Sequence, residues 1–275
     1  MIDSGVRGLS VVPALRAALP REDLVYFGDA ANAPYGEKTV DEVKKIVDGI
    51  VGSMIEDGAK AVVLACNTAT SAAASFLREK YKDVPIIGME PALKPAAEAK
   101  EHPRVLVMAT PLTIREDKLH SLAEKLEGEA DFVLIPCHGL VESVERGEVK
   151  GDKVKKLISD ILSPYLDGAD SIVLGCTHYA HLRGVIEEVA DGVAIFDGAK
   201  GTARETKRRL AEAKIAKRCG KGSLTLKNSS LEPGYAELCF RLLERLKGTE
   251  PKRSARTDRI CRRRFCTTAR STGKR

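Results

Sequence analysis

Two segments of this 275-residue chain end an apolar run on a thiol: "AVVLACNTA" (61–69) and "SIVLGCTHY" (171–179). In each, a small residue precedes the cysteine and hydrogen-bonding residues follow it, Asn67 and Thr68 after Cys66, Thr177 and His178 after Cys176. A thiol is a useful acid–base group because its ordinary pKa, about 8.5, is brought toward neutrality by a neighbouring charge or a helix N-terminus. Two thiols facing one carbon from opposite sides can take a proton from one face and return one to the other. The product then has inverted configuration. The repeated strand end predicts this geometry if two similar halves of the chain face each other.

The elements around the thiols fit that requirement. Short apolar, β-branched runs at 24–29, 61–66, 84–89, 104–110, 131–137, 171–176, 193–198 and 223–228 are predicted strands. Amphipathic stretches at 39–57, 68–80, 113–127, 151–167, 181–190, 199–217 and 234–247 are predicted helices between and after them. Continuous rather than alternating apolar strands, separated by helices, indicate parallel sheets covered on both faces. The fold class is therefore α/β, doubly wound, and such folds bind ligands beyond the carboxyl ends of their strands. Both cysteines fall there. Proline-rich "PALKPAAEAKEHP" (91–103) and "DGAK" (197–200) read as crossings between two lobes. One lobe is then 1–90 plus 198–247 with Cys66, the other 91–197 with Cys176, related by a pseudo-twofold axis with the active site in the cleft.

Composition narrows the function classes. The formal charge of +6 is concentrated at the end: residues 251–275 hold ten Lys or Arg and one Asp, leaving the first 250 residues at −3. The body therefore offers no electrostatic case for nucleic acid. The basic segment 248–275 lacks periodicity and is expected to be a disordered tail. No run approaches the roughly 20 apolar residues of a membrane span, and the start lacks a secretion signal. Seven cysteines, an odd number in a chain too large to need disulfides, predict free thiols in a reducing cytoplasm. Cys137, Cys219 and Cys239 read as structural, and His138 and His181 as structural or surface groups.

Seven ordered blocks carry a family resemblance: "DSGVRGLSV" (3–11), "YFGDAANAPYG" (26–36), "ACNTATSAA" (65–73), "ATPLTIRE" (109–116), "PCHGLVESVERGE" (136–148), "LGCTHY" (174–179) and "DGAKGTARET" (197–206). On these the chain resembles the glutamate racemases, within the aspartate/glutamate racemase superfamily. The resemblance implies a cytoplasmic isomerase that interconverts L- and D-glutamate for peptidoglycan biosynthesis and cell-wall biogenesis. It implies no pyridoxal phosphate, metal or nucleotide, a small-molecule partner only, and is compatible with a homodimer. It assigns Cys66 to the D-enantiomer and Cys176 to the L-enantiomer. Asp3 would assist Cys66, while His178 and Glu145 would stand on the Cys176 side. Asp3, Ser4, Tyr35, Gly36, Asn67, Thr68, Thr113, Thr177 and His178 match substrate-contacting positions.

Three other readings stay open on sequence alone. An aspartate racemase differs in pocket size by one methylene, a small discriminant. Cys176, His178 and His181 spell C-x-H-x-x-H, and with Cys137 and His138 they contain zinc-ligand types. A catalytically impaired, glutamate-binding homologue is the third. Only Met1 and Ile2 precede Asp3, which predicts a first strand stripped of most of its ladder and of the anchoring of Asp3, and Arg7 stands where the family turn has glycine.

Overall fold

The apolar runs become strands of two separate parallel sheets. The computed structural model describes residues 1–115, 117–230, 232 and 234–247. Its strands are β1 (Ile2–Asp3), β2 (Leu24–Gly28), β3 (Val62–Leu64), β4 (Ile86–Gly88), β5 (Arg104–Ala109), β6 (Asp131–Pro136), β7 (Ser171–Leu174), β8 (Ala194–Asp197) and β9 (Leu224–Asn228). Its helices are α1 (Val12–Ala18), α2 (Val40–Glu56), α3 (Asn67–Lys80), α4 (Leu93–Ala97), α5 (Pro111–Arg115) and α6 (Asp117–Glu124). They continue with α7 (Leu140–Glu145), α8 (Asp152–Leu162), α9 (Arg183–Val189), α10 (Ala199–Glu212) and α11 (Tyr235–Lys247). The tail expected at 248–275 lies outside the described residues.

The sheet orders are β4-β3-β1-β2-β9 and β6-β5-β7-β8. Read from the opposite edge, the second is β8-β7-β5-β6. Each strand of the second sheet therefore corresponds to the strand four places earlier in the first, with β9 extending the first sheet beyond β2. This is a structural repeat. The chain reverses its winding direction beside β1 in one sheet and beside β5 in the other, at the β1/β3 and β5/β7 neighbours. Those are the points where doubly wound folds open a ligand crevice, and Cys66 and Cys176 follow β3 and β7.

The short first strand is better anchored than its length predicts. Ile2 and Asp3 pair with Phe27 and Gly28 of β2 on one side, and Ile2 with Leu64 of β3 on the other. Phe27 N–H donates to the Met1 carbonyl at 2.9 Å, and Asp29 N–H to the Asp3 carbonyl at 2.7 Å. The expected loss of anchoring at Asp3 does not occur, because two neighbouring strands supply what length does not. Arg7 follows shortly after Asp3. It opens a 3-10 turn, Arg7–Val11, and the crowded residue is Gly8, where a Cβ would lie 2.7 Å from Ala65 Cβ and 2.9 Å from Asp3 Cβ.

Packing explains the long helices. α2 starts with a capping box, Thr39 and Glu42 each satisfying the other's backbone N–H. It buries Val43, Val47, Val51 and Met54, one stripe at helical spacing. They pack with Phe27, Leu64, Leu77 and Ile86 in a core on one face of the first sheet. A larger core is continuous from Val6, Leu9 and Tyr26 through Cys239, Leu242 and Leu243 of α11 to Leu106, Leu140 and Leu174. α11 thus lies against both sheets. No helix among the described residues is long and apolar enough to cross a membrane.

Candidate active site

Cys66 caps the N-terminus of α3, where its Sγ accepts from the Ala69 N–H at 3.5 Å. A helix N-terminus favours negative charge, so this position stabilises a thiolate. Ser4 Oγ stands 3.6 Å from the same sulfur, and Cys66 is buried. Asp3 and Ser4, at the carboxyl end of β1, are fully buried beside it, and the Gly5 N–H donates to Asp3 Oδ2 at 3.1 Å.

Cys176 occupies the matching place after β7. Gly175 N–H donates to the Met108 carbonyl of β5 at 2.8 Å, as Ala65 N–H donates to the Ile2 carbonyl of β1 at 2.8 Å. Each cysteine is therefore preceded by the same hydrogen bond to the central strand of its sheet. Residue 175 must be glycine for this approach, since a Cβ would come within 2.8 Å of that Met108 oxygen. Cys176 then opens the 3-10 turn Thr177–Leu182. Its Sγ lies 3.2 Å from His178 Nδ1, and His178 Nε2 lies 3.1 Å from Glu145 Oε1. His178 is fully buried. Cysteine, imidazole and carboxylate form one line, the carboxylate arriving from the end of α7.

The two strand ends meet. Asn67, directly after Cys66, donates from Nδ2 to the carbonyl of Gly175, directly before Cys176, at 2.8 Å. The sheets are thereby joined at the thiols themselves.

The other expected residues are distributed around these ends. Thr68 is half-buried in the first turn of α3, and Thr177 is buried next to Cys176. Thr113, buried in α5 beyond β5, shares a 2.9 Å hydrogen bond with Thr110. Tyr35 is fully buried, and its hydroxyl donates to Asp29 Oδ2 at 2.8 Å. Asp29 also accepts from Asn32 and from Ser229 Oγ, so it fixes the turn carrying Tyr35 and the half-buried Gly36. Burial and the Asp29 charge push the Tyr35 hydroxyl well above the usual phenol range, with Cys66 and Asp3 adding to the effect.

Thr110 and Tyr26 lie inside the blocks 109–116 and 26–36, but neither is singled out there as a site residue. Thr110 directly follows β5, as Ser4 follows β1, and aligning the two sheets strand by strand is the signal that finds it. Tyr26 lies in an apolar run, and only the fold brings its hydroxyl to Gly5.

The remaining thiols and histidines have other surroundings. Burial pushes the Cys137 and Cys239 thiols up to about 12. Cys137 donates to the Ile135 carbonyl, and Cys219 is exposed. The C-x-H-x-x-H spacing does not assemble a ligand set: the His178 nitrogens face Cys176 and Glu145, and among the described residues no three His, Cys, Asp or Glu side chains converge to hold a metal ion.

Comparison with known proteins identifies relatives. The Asp/Glu/Hydantoin racemase family profile matches residues 9–206. The glutamate racemase of Clostridium perfringens is 46% identical over 245 residues, covering 88% of this chain and 94% of that protein. Among solved structures, glutamate racemase isoform RacE1 from Bacillus anthracis superposes with a TM-score of 0.80 at 28% identity, covering 88% of this chain and 92% of that one. Escherichia coli glutamate racemase, solved with L-glutamate and the activator UDP-MurNAc-Ala, gives 0.78 at 31% identity, covering 89% and 93%.

Proposed function

The chain belongs to the Asp/Glu/hydantoin racemase family, and on that premise we propose that it is a glutamate racemase using two thiols and no cofactor. The observation that carries this reading is the Asn67–Gly175 hydrogen bond, which closes two equivalent thiol-bearing strand ends on one another. The near-full coverage of relatives named as glutamate racemases supports glutamate over aspartate. The lobes are 1–90 with 198–247 and 91–197, each contributing one thiol.

The side chains suit the reaction. Glu145 accepts the Nε2 proton of His178, which leaves Nδ1 facing Cys176 Sγ to take the thiol proton. The resulting thiolate removes the α-proton of L-glutamate. Cys66, as a thiol, delivers its proton to the opposite face, and D-glutamate forms. In reverse, the Cys66 thiolate at the α3 N-terminus takes the proton of D-glutamate, with Asp3 and Ser4 alongside. Thr68, Thr113, Thr177, Tyr35 and Gly36 line the ends that hold the two carboxylates. The product D-glutamate fits the supply of peptidoglycan in a cytoplasm, where the free thiols of the described residues would persist.

The deciding experiment is circular dichroism of purified protein with L- or D-glutamate in deuterated water, without added cofactor. Both enantiomers should racemise with deuterium entering Cα, and aspartate should be turned over poorly. Faster turnover of aspartate, or dependence on pyridoxal phosphate, would overturn the reading. Binding of glutamate without deuterium exchange would identify a non-catalytic homologue.

A further inference from the structure

We propose that Tyr26 is the positioning residue for the Cys66 half of the reaction, its hydroxyl holding the bend that carries Asp3 and Ser4 against the thiol. The proposal rests on the two-thiol reading and assigns a residue outside the seam of the cleft to one of its two halves.

Tyr26 is a fixed post. Its backbone lies in β2 and pairs with Leu226 of β9, while the next residue, Phe27, pairs with Ile2 of β1. Its side chain is 1% exposed. The hydroxyl donates to the Gly5 carbonyl at 2.6 Å and stands 3.4 Å from Asp3 Oδ2. A phenol has one proton, and the shorter contact takes it. Gly5 in turn donates its N–H to Asp3 Oδ2 at 3.1 Å. The grip on the carboxylate therefore runs through one residue, Gly5: tyrosine to its carbonyl, its amide to the carboxylate.

The surrounding glycines show how closely this bend is seated. A Cβ at residue 28 would lie 2.4 Å from the Gly5 oxygen and 3.3 Å from Tyr26 Cε1. The Gly5 carbonyl thus sits in a notch between the bare Cα of Gly28 and the tyrosine hydroxyl. Gly8 closes the other side of the bend against Asp3 and Ala65. Ser4, between Asp3 and Gly5, is then placed with its hydroxyl 3.6 Å from Cys66 Sγ. Burial and the Asp3 charge also push the Tyr26 hydroxyl well above the usual phenol range, with Cys239, Tyr235 and Glu145 adding to the effect. It stays a donor throughout the working pH range.

An ordinary core tyrosine would affect both thiols alike. The hydrogen-bonding contacts of the Tyr26 hydroxyl are the Gly5 carbonyl and Asp3 Oδ2, so Tyr26→Phe, which leaves the ring in the core it shares with both sheets, should act on the Cys66 side. A one-sided assay exists in elimination. With β-chloroglutamate, one thiolate removes the α-proton, the electron pair forms the Cα–Cβ double bond and chloride leaves. The enamine hydrolyses to 2-oxoglutarate and ammonium, so no second thiol is needed. Racemisation cannot serve here, because it needs both thiols in each direction.

The test compares Tyr26→Phe with the unaltered protein, with Cys66→Ser and Cys176→Ser as controls, on D- and L-β-chloroglutamate. Rates are expressed per native molecule from near-ultraviolet dichroism. Tyr26→Phe should slow elimination from the D-substrate about tenfold, as for a catalytic group shifted by a fraction of an ångström. Elimination from the L-substrate should stay within about twofold. The pH–rate profile on the D-substrate should change while that on the L-substrate is superimposable. Gly28→Ala, which pushes the same carbonyl without deleting the hydroxyl, should show the same one-sided loss and serves if Tyr26→Phe folds poorly. Equal losses on both substrates, or none on either, would overturn the role of Tyr26. Failure of the two serine controls to separate the enantiomers would overturn the two-thiol reading instead.

Discussion

Asn67 donates to the carbonyl of Gly175 at 2.8 Å, and each of these residues is the immediate neighbour of a thiol. One side chain therefore joins β3 and its helix to the end of β7. A hydrogen bond of this kind contributes about 1 kcal/mol net, too little to hold two sheets together and enough to bias their closure. On the proposed mechanism the positional consequence is larger, since the two thiols then have to address opposite faces of one carbon.

Asn67→Ala should therefore cost little stability and much rate. The thermal midpoint should fall by roughly 2–4 °C for a chain of this size. Racemisation kcat/KM should drop by about a hundredfold, the scale of a 1 Å misplacement. Calorimetry and the dichroism assay measure the two. A drop in rate no larger than the stability loss implies would show that closure does not depend on this contact.

Alkaline stability should depend on two thiols outside the site. Cys137 and Cys239 keep their protons to about 12 in the folded chain, well above the ordinary thiol range. Above pH 9 the unfolded chain loses these protons while the folded chain keeps them, so stability falls as pH rises through that window. Each thiol contributes about 1.4 kcal/mol per pH unit there, and nothing below it. Urea unfolding at pH 8 and pH 10 should show this slope, and the Cys137→Ala, Cys239→Ala double variant should show a shallower one. The buried tyrosines contribute equally to both proteins and cancel in the comparison.

The strands and most helices were legible because buried parallel strands leave unbroken apolar runs and long amphipathic helices leave stripes. Elements without such a signal were not. β1 is Ile2–Asp3 and is a strand only because β2 and β3 flank it. α1, α4 and α7 are seven residues or fewer, too short to show helical periodicity, and α7 matters because it delivers Glu145. The two thiols were visible as a repeat. The contacts that aim them were not, since Asn67 to Gly175 spans 108 positions and Tyr26 to Gly5 spans 21.

Gly8 and Arg7 separate two meanings of a glycine in the family turn. Gly8→Ala would place a methyl against Asp3 and Ala65, and overpacking of this kind costs about 1–3 kcal/mol. It should also depress elimination from D-β-chloroglutamate, because Asp3 is the atom group displaced. Arg7→Gly should leave racemisation within about twofold, since the close approach is made at residue 8. A large gain of activity in Arg7→Gly would mean that position 7 does impair the enzyme.

Glu145 should act through His178 and on one side only. Its Oε1 is 3.1 Å from His178 Nε2, and His178 Nδ1 is 3.2 Å from Cys176 Sγ. A carboxylate accepting the Nε2 proton fixes the tautomer in which Nδ1 can receive the thiol proton, and it stabilises the imidazolium that follows. Glu145→Gln keeps the size of the side chain and removes the charge. The imidazolium loses its counter-charge, so the Cys176 thiolate forms at higher pH. Elimination from L-β-chloroglutamate should fall about tenfold to a hundredfold at neutral pH, the range for a lost partner of an acid–base group. Its rate should recover as pH rises, because deprotonation by solvent replaces transfer to the imidazole. Elimination from the D-substrate, assigned by the proposal to Cys66 at the N-terminus of α3, should be unchanged. Stopped-flow assays of both enantiomers between pH 6 and 10 provide the check. If Glu145→Gln slows the D-substrate as much as the L-substrate, Glu145 supports the fold of the cleft and not the Cys176 base.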